Sequence, residues 1–367
     1  VAVDGNPDAP AFVHADHPVC VNILDADALE AVARQFKVDG LYPAAEISVE
    51  AVAKAGTALG LPGIAPTVAT LVRHKSAMRS ALDEAGLPNP AHREVYTLAE
   101  ARDCAVSLGF PLIIKPVDAN SSKGVQFLES LDDLHDAYDT AIEHSFLGIA
   151  LLEEFMEGEE YCVDGLVYQG HYILGGITGK ERSPLPHRFD QSIYMPPRIA
   201  AREHEAIDTC AQQALRAIGF EHGTFHLEII VTAQGPRIVE IAGRPGGGRI
   251  PTDLIPLAYG MDFIADSLRI ALGEAPESSR HHERGAALYW LDAQPGVVTE
   301  ITGVDEARAL PGVRDLHLHA QPGDTLAPIV DCPTRDAVGY VLCAGDTVDE
   351  AIARARAVRA TCTIHSA

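Results

Sequence analysis

Positive charge is scarce in this sequence: 28 lysines and arginines face 52 aspartates and glutamates, a formal net charge of −24. That deficit argues against a nucleic-acid backbone or an anionic membrane face as partner. The surplus acid is spread along the chain, as solubility favours. Paired cysteines are missing too. The seven present (Cys20, Cys104, Cys162, Cys210, Cys332, Cys343, Cys362) are scattered, odd in number and free of CxxC. They argue against a disulfide framework or a zinc site and for reduced thiols in the cytoplasm. No apolar run is long enough to span a bilayer, and the start lacks the basic-then-apolar order of a signal peptide. Internal repeats and low-complexity tracts are also absent. A soluble cytoplasmic chain is expected, with 367 residues giving room for two or three folding units.

Strand-like stretches at VAVDGNPDAP, CVNILD and VDGLYP alternate with helical stretches at Ala26–Gln35 and Val49–Leu59, the order of an open parallel α/β sheet. Such a domain usually opens with a strand and a glycine turn, so residues upstream of Val1 are expected. The link LGLPGIAPT closes the unit, and a helix follows around Lys75. Thr97 and Glu100 form a capping-box pattern for a helix ending at Gly109, before the buried strand FPLIIKPV. Ser130 with Asp133 repeats that signature, ahead of a helix carrying Leu131, Leu134, Tyr138, Ile142 and Phe146 on one face. Ile207 to Ile218 gives a further amphipathic helix, and short strands with a last helix at Val348–Val358 fill the end.

The stretch HLEIIVTAQGPRIVEIAGRPGGG is the most informative. Read as two strands around TAQGP, it sets Glu228 opposite Glu240 on one face. Facing like charges destabilise a sheet, so something positive belongs between them. Arg244 or a distant lysine would neutralise the pair structurally. Alternatively, the carboxylates hold a hard divalent cation such as magnesium, which keeps other positions for water and phosphate.

Lys115 ends the apolar strand FPLIIK and needs an anion, for which phosphate is one option. NSSKGV (120–125) has the small residues and Gly124 of an anion-binding turn, or of an ordinary surface turn. LLEEFMEGEEYCVD reads as strand, connector, strand. There Glu153 could accept from an adenine amine, Phe155 and Met156 wall the ring, and Glu160 bind ribose, unless the stretch is a solvated acidic loop. GGITGKE is not a Walker loop, because Leu174 and Glu181 stand where glycine and Ser/Thr belong. The pairs His281–His282 and His317/His319 have no Cys or carboxylate cluster nearby and read as surface or sheet histidines.

In order and spacing, HKSAMRSALDEAGLPNP, FPLIIKP, SSKGV, EEFMEGEEYCVD and HLEII with IVEIAGRPGGG resemble the ATP-grasp superfamily. The likeness is to its carboxylate–amine ligases, including L-amino-acid ligases, and runs through essentially the whole chain. It implies an α/β (α+β) ATP-grasp architecture. Its parts would be a Rossmann-like pre-ATP-grasp domain over 1–70, a helical linker 71–109, a small lobe 110–178, a large lobe 179–283 and a strand-rich C-terminal subdomain 284–367. By that resemblance Lys75 and Lys115 contact ATP phosphates, Ser122, Lys123, Gly124 and Val125 cover them, and Glu153, Phe155 and Glu160 take the adenosine. Glu228 and Glu240 would ligate one or two magnesium ions, with manganese an alternative, and Arg244 would steady the transferred phosphoryl group. Two departures stand out. Ala242 replaces the asparagine of the family's E-x-N-x-R pattern, and Asp190 replaces a glutamate beside the substrate.

The chemistry implied is attack of a carboxylate on the γ-phosphate of ATP, then attack of an amine on the acyl phosphate. The substrates would be a small carboxylic acid and an amine, amino-acid-like in both cases. Backbone amides of Gly246, Gly247 and Gly248 could hold a substrate carboxylate or oxyanion, or merely form a tight turn. His187 could assist amine deprotonation, and Arg249 and Asp253 could shape the pocket. A carboxylating or purine-pathway enzyme is one rival; a non-catalytic ATP-binding protein is another. Related enzymes often dimerise through the first domain, so a homodimer is open.

Overall fold

Residues 1–367 other than 121 and 186 are described by the computed structural model. At the N-terminus, β1 (Ala2–Asp4) pairs in parallel with β2 (Pro18–Cys20), followed by α1 (Ala26–Phe36) and α2 (Val49–Leu59). Asp25 caps α1 by accepting from the amides of Asp27 and Ala28, and Gly60 closes α2 at φ +70°. The stretch VDGLYP forms no strand. Gly40 presses onto the carbonyl of Ala271, where a Cβ would stand 2.3 Å away, so tertiary packing holds the segment irregular. Helices α3 (Pro66–Arg73) and α4 (Lys75–Glu84) then lead to the next unit.

That unit is a small antiparallel sheet under two helices. Its elements are β3 (His92–Val95), α5 (Leu98–Leu108), β4 (Leu112–Pro116), β5 (Gln126–Leu128), α6 (Leu134–Glu143) and β6 (Ala150–Glu154), with strand order β3-β6-β4-β5. Thr97 caps α5 by accepting from the Glu100 amide, and the Glu100 carboxylate reaches back one residue further, to the amide of Tyr96. The second capping signature works differently. Asp133 takes the amides of Glu129 and Ser130, folding 129–133 into a turn, and α6 starts only at Leu134. It stops at Glu143, which leaves Phe146 exposed instead of on the buried face.

A larger sheet follows from β7 (Glu159–Tyr168), β8 (His171–Arg182), β9 (Asp190–Met195), β10 (Gly223–Thr232) and β11 (Gly235–Ala242), with α7 (Ala201–Ala217) between β9 and β10. After α8 (Ile255–Tyr259) and α9 (Phe263–Ala271) comes the C-terminal part. It comprises β12 (Gly285–Trp290), β13 (Gly296–Thr302), α10 (Val304–Arg308), β14 (Val313–Leu318), β15 (Thr325–Leu326), α11 (Cys332–Asp336), β16 (Gly339–Gly345), α12 (Val348–Thr361) and β17 (Thr363–Ser366). The strands do not stop at the junction. One continuous sheet runs β11-β10-β7-β8-β9-β12-β16-β14. α7 buries Ile207, Ala211 and Leu215 against Val163, Phe225 and Leu227 at one end. α12 buries Ile352, Ala355 and Val358 with Tyr289 and Val341 at the other.

Candidate active site

Strand alternation decides which side chains reach the cleft. On β10, Leu227 and Ile229 enter the core beneath α7, while His226, Glu228 and Ile230 line a cavity of about 320 Å³. The hairpin register sets Glu228 opposite Glu240, as the sequence spacing predicts. On β7, Cys162 stands opposite Glu228 and Asp164 opposite His226. Lys180 and Arg182 reach the same cavity from β8, and Lys115, Phe127 and Glu153 reach it from the small sheet.

The acids in this cleft fall into two kinds. Glu153 is buried, with Arg79 Nε 2.6 Å from Oε1 and Lys115 Nζ 2.6 Å from Oε2. Glu160 is equally buried between Lys180, at 2.8 Å, and Arg182. In this structure both carboxylates are counter-ions that line the cavity, Glu153 to Arg79 and Lys115 and Glu160 to Lys180 and Arg182. Glu228 and Glu240 differ, keeping 30% and 24% of their side-chain surface exposed. Lys180 Nζ lies 2.8 Å from Glu228 Oε1, and Lys75 Nζ lies 3.4 Å from Glu240 Oε1 while donating to the carbonyl of Ala119. Two part-exposed carboxylates facing across a hairpin form an oxygen donor set that fits a hard divalent cation. Ala242, opposite His226, brings no donor.

Burial and charge work against each other here. Burial raises the Glu153 carboxyl, but Arg79 and Lys115 overcome it and hold the pKa down at about 2. Burial lowers Lys115, and the attraction of Glu153 does not fully offset that, because Arg79 and Lys75 repel the same ammonium. Lys180 is also desolvated, yet Asp190, Glu160 and Glu228 raise it well above the ordinary lysine value. Glu228 is pushed up by burial and pulled further down by Lys180 and His226.

The remaining predicted residues divide by place. Ser122, Lys123 and Val125 line the cavity, and Ser122 adopts φ +58° within a turn closed by the Val125 amide on its carbonyl. Gly124, at φ +71°, packs instead against Pro116 and His144, where a Cβ would lie 2.9–3.0 Å from side-chain carbons. Ser121 of the same motif lies outside the described residues. Phe155 borders the cavity and meets Phe127 edge-on at 4.9 Å between centroids. Arg244 borders it too, with Nε 2.7 Å from Glu46 Oε2 of the N-terminal unit. His187 and Asp190 are at the opposite rim, where Asp190 lies 3.5 Å from Lys180. Of the glycine run, Gly247 and Gly248 line the cavity, while the Gly246 amide donates to Asp164 at 3.0 Å. Arg249 stands just outside the lining residues. It pairs with Asp253 and Asp315, both at 2.9 Å, bracing the C-terminal strands outside the cavity wall.

Several residues escaped the sequence reading. Arg79 is fully buried and donates to Glu153, to Asn89 and to the carbonyls of Ile238 and Val239. Its signal was present: Lys75, Arg79 and Leu82 share one face of α4. Lys180 sits in GGITGKE, which is strand and not loop, and the alternation Thr178, Lys180, Arg182 placed two cations on one face. From the C-terminal part, Trp290, Cys332 and Arg335 complete the cavity, with the Arg335 guanidinium 3.5 Å from the Trp290 ring centre and donating to the Asp190 carbonyl. No local pattern announced them.

Comparison with known proteins gives the same grouping. Residues 108–253 match the ATP-grasp domain and residues 289–366 match the L-amino acid ligase C-terminal domain 2. An uncharacterized protein of Sinorhizobium fredii is 30% identical over 88% of this chain and 68% of its own length. A formate-dependent phosphoribosylglycinamide formyltransferase of Salmonella schwarzengrund is 25% identical over 99% of this chain and 90% of its own. Among solved structures, an L-amino acid ligase from Bacillus licheniformis superposes with a TM-score of 0.82 at 24% identity, over 96% of this chain and 88% of that one. A phosphoribosylglycinamide synthetase from Anaerococcus prevotii gives 0.76 at 17% identity, over 100% and 92%. With its cleft built on the facing glutamates of β10 and β11, the chain belongs to the ATP-grasp superfamily as an L-amino-acid-ligase-like carboxylate–amine ligase.

Proposed function

We propose that the chain joins the carboxylate of one amino-acid-like substrate to the amine of another, using ATP and releasing ADP and phosphate. The observation that carries this reading is the convergence of Lys75, Lys115, Glu228, Glu240 and Arg244 on one cavity. Magnesium held by Glu228 and Glu240 would screen the triphosphate and polarise its γ-phosphoryl oxygens. Lys75 and Lys115 bind the phosphates, a role open to them because each ammonium stands at the cavity wall. The Ser122–Val125 turn covers that end, and Phe155 with Met156 walls the adenine.

In the first step a substrate carboxylate oxygen attacks the γ-phosphorus, and the bond to the bridging oxygen breaks to release ADP. In the second, the amine attacks the acyl carbon, phosphate leaves with the acyl oxygen, and the amine proton passes through His187 to solvent. No protein nucleophile is needed. Orientation and charge neutralisation are, and Arg244 steadies the departing phosphate while His187 at the exposed rim accepts the proton. The L-amino acid ligase C-terminal match and the Trp290–Arg335 wall support amino-acid-like substrates. Free thiols at all seven cysteines support a cytoplasmic setting.

The test is phosphate release from Mg-ATP against pools of amino acids and small carboxylic acids, with Glu240→Ala alongside. Release that needs both an acid and an amine, and disappears in the variant, is expected. Release with formate and an amino-ribonucleotide alone would favour the second reading, formyl transfer, which the end-to-end match to the formyltransferase supports. ATP binding without turnover on any pool would sink both.

A further inference from the structure

Beside the facing glutamates lies a cluster of which the ligase chemistry uses Glu228 alone. Cys162, His226 and Glu228 bring one sulfur, one ring nitrogen and one carboxylate oxygen within 4.8 Å of one another. The sheet register creates this. Cys162 is directly opposite Glu228 on adjacent strands, and His226 is two residues along β10 on the same face. Cys162 and His226 are buried and Glu228 is part-exposed, and all three line the cavity. His226 is already oriented. Its Nδ1 lies 2.9 Å from Asp164 Oδ1, which leaves Nε2 as the ring nitrogen turned to the other two donors. The same Asp164 oxygen takes the Gly246 amide, so the orienting carboxylate is fixed from a second side.

We propose that Cys162, His226 and Glu228 form a binding site for a thiophilic divalent cation of the zinc type, distinct in chemistry from the oxygen-only magnesium site and sharing Glu228 with it. Sulfur, imidazole and carboxylate are the ligands zinc selects, and a carboxylate on the far imidazole nitrogen is the arrangement that orients a metal-bound histidine. Donors around one tetrahedral zinc ion stand roughly 3.5 Å apart, so three atoms already within 4.8 Å of one another need draw together by only about 1 Å. Binding releases two protons to solvent, the thiol proton of Cys162 and the Nε2 proton of the His226 imidazolium. Lys180 gives up Glu228 Oε1 without losing its other carboxylate partners, Glu160 at 2.8 Å and Asp190 at 3.5 Å. The cation's fourth position faces the cavity. Because Glu228 serves one cation at a time in this geometry, zinc inhibits Mg-ATP turnover; this last consequence alone rests on the ligase reading.

Zinc absorption-edge spectroscopy on the full chain without nucleotide, loaded with one equivalent of Zn²⁺, tests the site without any variant. One sulfur scatterer at about 2.3 Å is expected, and a shell of nitrogen and oxygen only overturns the proposal. Titration with Co²⁺ should give a sulfur-to-cobalt charge-transfer band that Cys162→Ser loses and Cys332→Ser, at the other cavity thiol, keeps. A band that survives Cys162→Ser would equally overturn it. Both readouts are independent of ATP, so they stand or fall apart from the ligase assignment. Where turnover is present, Zn²⁺ should inhibit Cys162→Ser at least tenfold more weakly than the unaltered chain.

Discussion

A single guanidinium, that of Arg79, holds three elements together: its own helix α4, Glu153 on β6 and the backbone of β11. Removing it strands Glu153 in the interior with Lys115 as its one remaining cation. Arg79→Met should therefore cost about 3–5 kcal/mol in urea unfolding, and Arg79→Lys should recover little, because an ammonium cannot fork. A loss below about 1 kcal/mol would remove Arg79 from this role. Acid tests the same network. The Glu153 carboxyl is held at about 2, below its ordinary 4.5. A depressed carboxylate contributes stability that is fully present above its unfolded value and is lost as pH falls through the folded one. Unfolding free energy should thus drop by about 3 kcal/mol more in the parent chain than in Glu153→Gln between pH 4.5 and 2. The strand period made Glu228 and Glu240 legible as a facing pair. The same period could not tell that Glu153 would meet an arginine 74 residues earlier, because nothing local encodes that contact.

Elements were legible where their ends carry their own chemistry. Asp25, Thr97 and Gly60 mark helix ends that the fold keeps. VDGLYP had strand composition but no partner edge, and packing on Ala271 overrode it. The glycine run after β11 was legible as a special backbone, yet its reason differs from the one expected. A Cβ on Gly246 would sit 2.4 Å from Asp164 Oδ1 and 2.7 Å from His226 Nδ1. Gly246→Ala should therefore push the run off the sheet and cost about 1–3 kcal/mol by chemical denaturation. An unchanged midpoint would show that the run yields freely and that the Asp164 contact is dispensable.

At the scale of the whole molecule, the cleft draws on every part of the chain from α4 onward, beginning with Lys75. Lys115 and Phe155 come from the small sheet, Glu228 and Glu240 from the large one, and Trp290 and Arg335 from the C-terminal part. A ligand filling it ties these parts together. A non-hydrolysable ATP analogue with magnesium, at a hundredfold excess over its Kd, should raise stability by about 2.7 kcal/mol. Calorimetry should register this as a higher Tm, and a melt unmoved by saturating nucleotide would contradict the placement of ATP in this cavity. The overall order of parts was legible because each motif keeps its spacing. The closing of the cavity by Trp290 and Arg335 was not, since long-range packing brings them there.

The uninterrupted sheet has a practical corollary for anyone recombining such enzymes. β9 is hydrogen-bonded to β8 on one side and to β12 on the other, with Ile193 aligned to both Lys180 and Leu288. Across the same seam Glu181 accepts from Tyr289 and Arg356. The C-terminal part is thus not a detachable cassette. A chimera cut at residue 284 would ask a foreign β12 to accept this register and these partners, and a graft that carries them along should express where a bare swap precipitates.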